Sequence, residues 1–150
     1  MQRTQQLERA DVRRIIDAAH AEADRDTDGQ GPARVSIALV DSGGHLLMLE
    51  RRDGASPASS ETAIAKARMA ALNGKPTADQ EHSINTTRPA LLQLAGLFGQ
   101  PAVAMGGGLP LLLDGHCLGA IGVSGMTPDI DLRIAEAGAA AFETLAVSQP

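Results

Sequence analysis

The dipeptide Asp114-Gly115 stands between two apolar runs and constrains the fold more than any other feature of the sequence. Both residues tolerate a positive φ, so the dipeptide predicts a type I′ turn that joins two antiparallel strands. The second strand, residues 116–125, carries small residues on one face and Ile121 and Val123 on the other. A strand with so little bulk on one face leaves room for a closely packed helix or for a ligand.

Three glycines, Gly106, Gly107 and Gly108, precede this hairpin. Without Cβ atoms, their backbone amides could face a ligand, so we expect a binding site near this loop. The loop matches neither a dinucleotide-binding fingerprint nor a P-loop, because it leads into a strand and lacks a Gly-Lys-Ser/Thr sequence. A simple flexible turn is the alternative interpretation.

Residue patterns elsewhere predict helices and strands around this hairpin. Helix signals predict four helices, over residues 5–24, from Ser59 or Ser60 to Asn73, from Pro89 to about Phe98, and from Pro128 onward. Strand signals predict five strands, over Val35–Asp41, His45–Arg51, Pro101–Met105, 109–113 and 116–125. The segment 77–86 shows weak periodicity and receives no assignment. Because hairpins dominate and no βαβα alternation occurs, we expect a single α+β domain with an antiparallel sheet covered by helices.

Composition excludes several function classes. The net charge of −5 and the absence of a basic cluster argue against a nucleic-acid partner. A single cysteine excludes an internal disulfide and a cysteine-based zinc site. No run reaches membrane-spanning length and residues 1–6 lack an apolar stretch, so we expect a cytoplasmic protein. With two Phe, no Tyr and no Trp, the chain has few residues that could stack on a flat ligand.

The nucleophile and metal motifs that the sequence could contain are incomplete. Ser124 lies where a nucleophile elbow would lie, but Met126 replaces the required glycine, so we interpret Ser124 as a small strand residue. The four histidines lack metal-binding spacing, and we expect no metal site. His20, on a helix, is the most plausible axial ligand for a haem. We interpret Cys117 as a small buried residue.

Lys66 is the most informative charged residue, because Ala63, Ala67 and Ala70 place it on a helix face that otherwise looks buried. A buried lysine needs a partner and can act as a base or as an anion ligand. Glu61, Asp53, Arg51 and Arg52 are the candidate partners nearby in sequence. The alternative is a surface lysine whose stem covers alanine methyl groups.

Five segments together resemble the GlcG/HbpS family, which includes the C-terminal domain of PduO-type proteins. They are Val40–Gly44, Arg51–Ala55, Ala65–Ala67, Gly106–Pro110 and Gly119–Gly125. The resemblance implies a profilin-like α+β fold with a five-stranded antiparallel sheet and a homo-oligomer. It also implies a link to haem, since some relatives bind haem and a haem-degrading role is attached to the family. The shared segments contain no haem ligand, and Arg52 stands where the family pattern has an apolar residue.

These observations predict a protein that binds a small anionic catabolic metabolite between the glycine loop and the Lys66 helix. The predicted ligand-binding residues are Arg51, Asp53, Gly106, Gly107 and Gly108, and the candidate catalytic residues are Lys66 and Glu61. One alternative is a haem-binding or haem-degrading protein, with haem as cofactor. Another is a proton-transfer isomerase or lyase that uses Lys66 or Glu61 as base. A ligand-free assembly protein is a further alternative.

Overall fold

The computed structural model describes residues 4–26 and 29–148. Residues 1–3, on which part of the expectation of a cytoplasmic protein rests, lie outside this range, as do residues 27–28 of the loop after the first helix. No helix in the described part of the chain is long and apolar enough to span a membrane.

Four α-helices, one 3-10 helix and four strands make up the described chain. In order they are α1 (Arg9–Asp24), β1 (Ser36–Asp41), β2 (Leu46–Arg51), α2 (Pro57–Asn73), α3 (Thr77–Asn85), the 3-10 helix (Pro89–Leu97), β3 (Gly108–Leu113), β4 (His116–Ser124) and α4 (Pro128–Ser148).

The sheet confirms the α+β architecture but corrects the number of strands. It has four strands in the order β2-β1-β4-β3, and every neighbouring pair is antiparallel. The expected fifth strand, Pro101–Met105, is wrong: this segment is irregular. The Val103 amide donates to the Ala65 carbonyl in α2 at 3.2 Å, so the segment bonds to a helix and not to the sheet. The profilin-like assignment stays a prediction.

The turn signals are confirmed. Asp114 and Gly115 have φ values of 50° and 78°, as a type I′ turn requires. Gly74, with φ of 63°, ends α2 in the left-handed conformation. The expected start of α2 at Ser59 or Ser60 is wrong, because Ser56 is the N-cap and Pro57 the first helical residue. The segment that received no assignment forms α3 over most of its length.

The sheet separates two apolar layers of different character. On one face, α1 and α4 pack against the sheet through large side chains. The helices contribute Ile15, Ile16 and Ile134, and the strands contribute Ile37, Leu39 and Ile121. On the other face, α2 packs against the sheet through small side chains. The helix contributes Ala63, Ala67 and Ala70, and the strands contribute Ala38 and Ala120. The small-residue face of β4 therefore accommodates a helix.

Gly122 sets how closely α2 approaches the sheet. A Cβ at this position would overlap the Ala63 carbonyl oxygen and lie 2.6 Å from the Ala67 backbone nitrogen. Both neighbours are main-chain atoms of a helix, so neither can yield without moving α2.

We expect Gly122→Ala to lower the free energy of unfolding by about 2 kcal/mol or more, because overpacking pushes α2 off the sheet. Gly96→Ala is the matched control, since a Cβ at Gly96 meets no atom within 4 Å. Urea unfolding of both variants measures the difference. Equal stability of the two variants would contradict the close contact.

Candidate functional site

Lys66 and Asp131 form a buried ion pair that joins α2 to α4. Both side chains are 3% exposed, and Lys66 Nζ lies 3.2 Å from Asp131 Oδ2. Lys66 Nζ also donates to the Val123 carbonyl of β4 at 2.9 Å. The sequence predicted a buried lysine with a partner, but Asp131 lies 65 positions away and was not among the candidates.

Asp131 is held from both sides of its carboxylate. Its Oδ1 accepts the Met126 amide at 3.0 Å, and its Oδ2 faces Lys66. Burial raises the pKa of the Asp131 carboxyl, and the charge of Lys66 and the Met126 amide oppose this without cancelling it. Lys66 is therefore already paired with a carboxylate inside the protein.

The glycine loop covers this pair, whereas the sequence predicted a ligand between the loop and Lys66. Gly107 has φ of 118°, and a Cβ there would lie 3.1 Å from Lys66 Nζ and 3.2 Å from Asp131 Cβ. The Gly107 carbonyl accepts the Val123 amide at 2.9 Å. A side chain at Gly107 would thus overlap the Val123 carbonyl oxygen, 2.6 Å from the Cβ, and would crowd the ion pair.

Two amides of the loop already have partners in α3. The Gly106 amide donates to Glu81 Oε2 at 2.9 Å, and the Gly108 amide donates to Thr77 Oγ1 at 2.8 Å. Sequence reasoning missed both α3 residues. Pro76 followed by Asp79 in the first turn is a helix-start signal that could have predicted α3. On such a helix, Thr77 and Glu81 are four residues apart and therefore lie on the same side.

A cavity of about 380 Å³ lies next to the loop, between α2, α3 and the 3-10 helix. We call it the helix–loop cavity. It is lined by Met69, Glu81, Ile84, Asn85, Leu91, Leu92, Ala95, Ala102, Val103, Ala104 and Met105. Of these lining residues, Glu81 alone is charged, and it is the same residue that binds the Gly106 amide.

The other predicted site residues lie elsewhere. Arg51 and Asp53 line a separate open groove of about 560 Å³, which we call the arginine groove; its other lining residues are Gln30, Pro32, Ala33, Arg34 and Arg52. Glu61 is exposed on α2, five residues before the buried Lys66, and lines neither space. The structure thus brings Lys66 to the glycine loop and separates both from Arg51, Asp53 and Glu61.

His20 accepts a hydrogen bond through one ring nitrogen and lies close to a carboxylate through the other. Arg52 Nη1 donates to Nδ1 at 3.0 Å, and Nε2 lies 2.6 Å from Glu50 Oε2. Because arginine can only donate, Nδ1 is the acceptor, and Nε2 lies within ion-pair distance of Glu50 without the geometry of a hydrogen bond. Burial raises the pKa of Glu50, but the hydrogen bond from Arg13 and the charges of His20 and Arg13 outweigh it, and the pKa falls.

No three His, Cys, Asp or Glu side chains among the described residues are grouped so that they could hold a metal ion. Cys117 is half-buried and donates to the Gly119 carbonyl at 3.2 Å. Burial raises the pKa of its thiol, so the reactive thiolate is disfavoured.

Known proteins similar to this chain agree on one family. The family model described as haem degrading protein HbpS-like matches residues 7–140. Protein GlcG of Escherichia coli K12 is 40% identical over 90 residues, which are 60% of this chain and 63% of GlcG. The match thus spans less than two thirds of GlcG.

Two solved structures are similar over almost the whole chain. A double mutant of HbpS from Streptomyces reticuli is 30% identical, with a TM-score of 0.79 over 93% of this chain and 89% of that one. The PduOC:heme complex is 28% identical, with a TM-score of 0.77 over 91% of this chain and 95% of that one.

We expect Lys66→Met to lower the free energy of unfolding by about 3–5 kcal/mol at neutral pH, because Asp131 is then a buried charge without its partner. Loss of Lys66 raises the pKa of Asp131 further. The folded carboxyl therefore binds its proton more tightly than the unfolded one, and the deficit shrinks as the pH falls through the raised pKa.

Urea unfolding at a series of pH values measures this effect. Lys75→Met is the control, since Lys75 is the other lysine of the chain and is exposed. A deficit for Lys66→Met that does not change with pH would contradict the assignment of Asp131 as its partner.

Proposed function

The chain belongs to the family of HbpS-like proteins, and from this premise we propose that it binds a small organic molecule in the helix–loop cavity. The observation that carries the proposal is the cavity itself, which adjoins both the glycine loop and α2. The cavity lies beside the predicted site, although neither Lys66 nor the three loop glycines line it. The fold is shared with PduOC, which has been solved as a heme complex.

The size and lining of the cavity indicate the type of ligand. Ligand sites usually enclose about 300–1,000 Å³ and have mainly apolar walls with a few polar groups. The helix–loop cavity, at about 380 Å³, fits a molecule of the size of a substituted ring or a short chain. Methionine, leucine and alanine side chains form most of its wall, so the ligand has an apolar body.

Glu81 and Asn85 give this wall its polar part. They lie four residues apart on α3, hence on one side of that helix. Glu81 Oε2 is used by the Gly106 amide, whereas Oε1 has no hydrogen-bond partner among the described residues. A carboxylate oxygen with spare capacity accepts hydrogen bonds, so the cavity favours a ligand that carries an amine or a hydroxyl group.

The expected anionic ligand requires a different arrangement. Lys66 would have to contact the ligand, yet its Nζ is bonded to Asp131 and Val123. Glu81 would also repel a carboxylate placed in the cavity. We therefore propose that the ligand occupies the helix–loop cavity, beside the predicted site, and that its polar end is neutral or cationic and not anionic.

Three probes that share a benzene ring and differ in their polar group test this proposal: benzylamine, benzyl alcohol and benzoate. A ligand that binds only the native state raises the melting temperature with its concentration. We expect the increase to be largest for benzylamine and smallest for benzoate. Ala95→Leu should reduce the increase at least severalfold, because Ala95 lines the cavity.

Ala90→Leu is the matched control, because it introduces the same side chain at an exposed position on the same 3-10 helix, outside the cavity. An equal reduction of the ligand-induced increase in melting temperature in both variants would contradict binding in the cavity. A largest response to benzoate that Lys66→Met abolishes and Lys75→Met retains would instead support the anionic ligand at Lys66. No response to any of the three probes would overturn the proposal.

Haem binding is the second candidate function, favoured by the likeness to the PduOC:heme complex. His20 is the predicted axial ligand. Iron could reach Nε2 only if Glu50 left its position 2.6 Å away.

We expect a titration with hemin to give a saturable Soret shift if this function holds, and His20→Ala to abolish it. His45→Ala is the control, because His45 is an exposed histidine in the β1–β2 turn. A shift that survives His20→Ala would remove His20 as the ligand, and the absence of a shift would remove the haem function.

The remaining expectations stay predictions. A catalytic role for Lys66 or Glu61 as a base predicts turnover of a catabolic intermediate. Assembly into a homo-oligomer and a cytoplasmic location are likewise expectations.

A further inference from the structure

The arginine groove lies at the end of β2 and differs from the helix–loop cavity in charge. Three arginines, Arg34, Arg51 and Arg52, line it beside a single carboxylate, Asp53. The chain as a whole carries a net charge of −5. A positive groove on an acidic protein concentrates anions at one place.

Arg52 forms a fixed and neutralised side of the groove. Its Nε donates to the Ala33 carbonyl at 3.0 Å, its Nη1 donates to His20 Nδ1 at 3.0 Å, and its Nη2 forms an ion pair with Asp24. The pKa of Asp24 is lowered by the hydrogen bond and the charge of Arg52. Four of the five N–H donors of Arg52 therefore have partners within the protein, and most of the positive charge available to a ligand comes from Arg34 and Arg51.

Neither Arg34 nor Arg51 forms an ion pair with a carboxylate among the described residues, whereas four other arginines do: Arg13, Arg25, Arg52 and Arg133. Both side chains are exposed and line the same groove. Their two positive charges exceed the single negative charge of Asp53, so the groove has a net positive charge that a bound anion would neutralise.

The backbone places these two arginines. Arg51 is the last residue of β2, opposite Ser36 of β1. Arg34 lies two residues before Ser36, and its stem crosses Gly54, where a Cβ would lie 2.8 Å from Arg34 Cδ. Gly54 has φ of 79°, a conformation that favours glycine. The absence of a Cβ at Gly54 also leaves space for the Arg34 stem.

We propose that the arginine groove is a second binding site, specific for an oxyanion held between Arg34 and Arg51. The oxyanion is a carboxylate or a phosphate group of a small metabolite, because a guanidinium binds both through paired N–H donors. The volume of about 560 Å³ accommodates such a group together with the rest of a small molecule. This site is independent of the function proposed for the helix–loop cavity.

Isothermal titration calorimetry with sodium phosphate and with sodium succinate tests the site at constant ionic strength. We expect saturable binding of at least one of them, weakening as sodium chloride is raised. Arg34→Gln and Arg51→Gln should each weaken the affinity about tenfold or more, because each removes a charged hydrogen-bond donor and keeps most of the stem. Preference for phosphate or for succinate identifies the group.

Arg14→Gln is the matched control, since Arg14 is an exposed arginine on α1 outside the groove. Equal weakening by all three substitutions would show diffuse charge attraction and overturn the proposal, as would no saturable binding of either anion. If Arg51→Gln unfolds more easily in urea, Arg51→Lys keeps the charge at the end of β2 and should bind with intermediate affinity. An unchanged response of Arg34→Gln to benzylamine separates this site from the cavity.

Discussion

The absence of a side chain at Gly122 is the constraint on which the rest of the structure depends. It allows the main chain of α2 to lie against β4, where even a methyl group would meet the Ala63 carbonyl and the Ala67 nitrogen. Gly108 acts in the same way on β3, since a Cβ there would lie 2.6 Å from the Lys66 carbonyl. The alanines of α2 complete this contact, and the sheet face needs no aromatic side chain to fill it. The low aromatic content is thus compatible with a well-packed core at this face of the sheet.

This close approach also explains why a lysine can be buried. Lys66 lies on the contact face of α2, and its Nζ reaches the Val123 carbonyl of β4 and the Asp131 carboxylate of α4. A buried ion pair is a weak source of net stability, because desolvation offsets the attraction of the two charges. Its geometry is nevertheless restrictive, since three elements must meet for the two charges to be satisfied. The glycine loop then covers the pair, because Gly107 leaves no atom in the way.

The sequence predicted those parts of the molecule that local patterns determine. Asp114-Gly115 and Gly74 have strong local preferences, and both turns form as expected. The strand expected at Pro101–Met105 fails for a non-local reason, because the Val103 amide bonds to a helix more than thirty residues earlier. Helix α3 has little amphipathic pattern of its own, and it is placed by the contacts of Thr77 and Glu81 with the loop. For the site, local spacing grouped Arg51 and Asp53 with Lys66. In the fold, Arg51 and Asp53 lie at the end of β2 and Lys66 lies in the interior.

The 3-10 helix Pro89–Leu97 has a consequence for the dynamics of the protein. None of its residues is fully buried, and Leu92 and Leu97 are 67% and 76% exposed. A segment that contributes so little buried apolar surface opens locally at a small fraction of the global free energy of unfolding. We therefore expect amide protons in this segment to exchange with solvent far sooner than those of β1 and β4. The wall of the cavity that this helix supplies would then fluctuate while the sheet stays intact, and a molecule of the proposed kind would enter or leave without the unfolding of the domain.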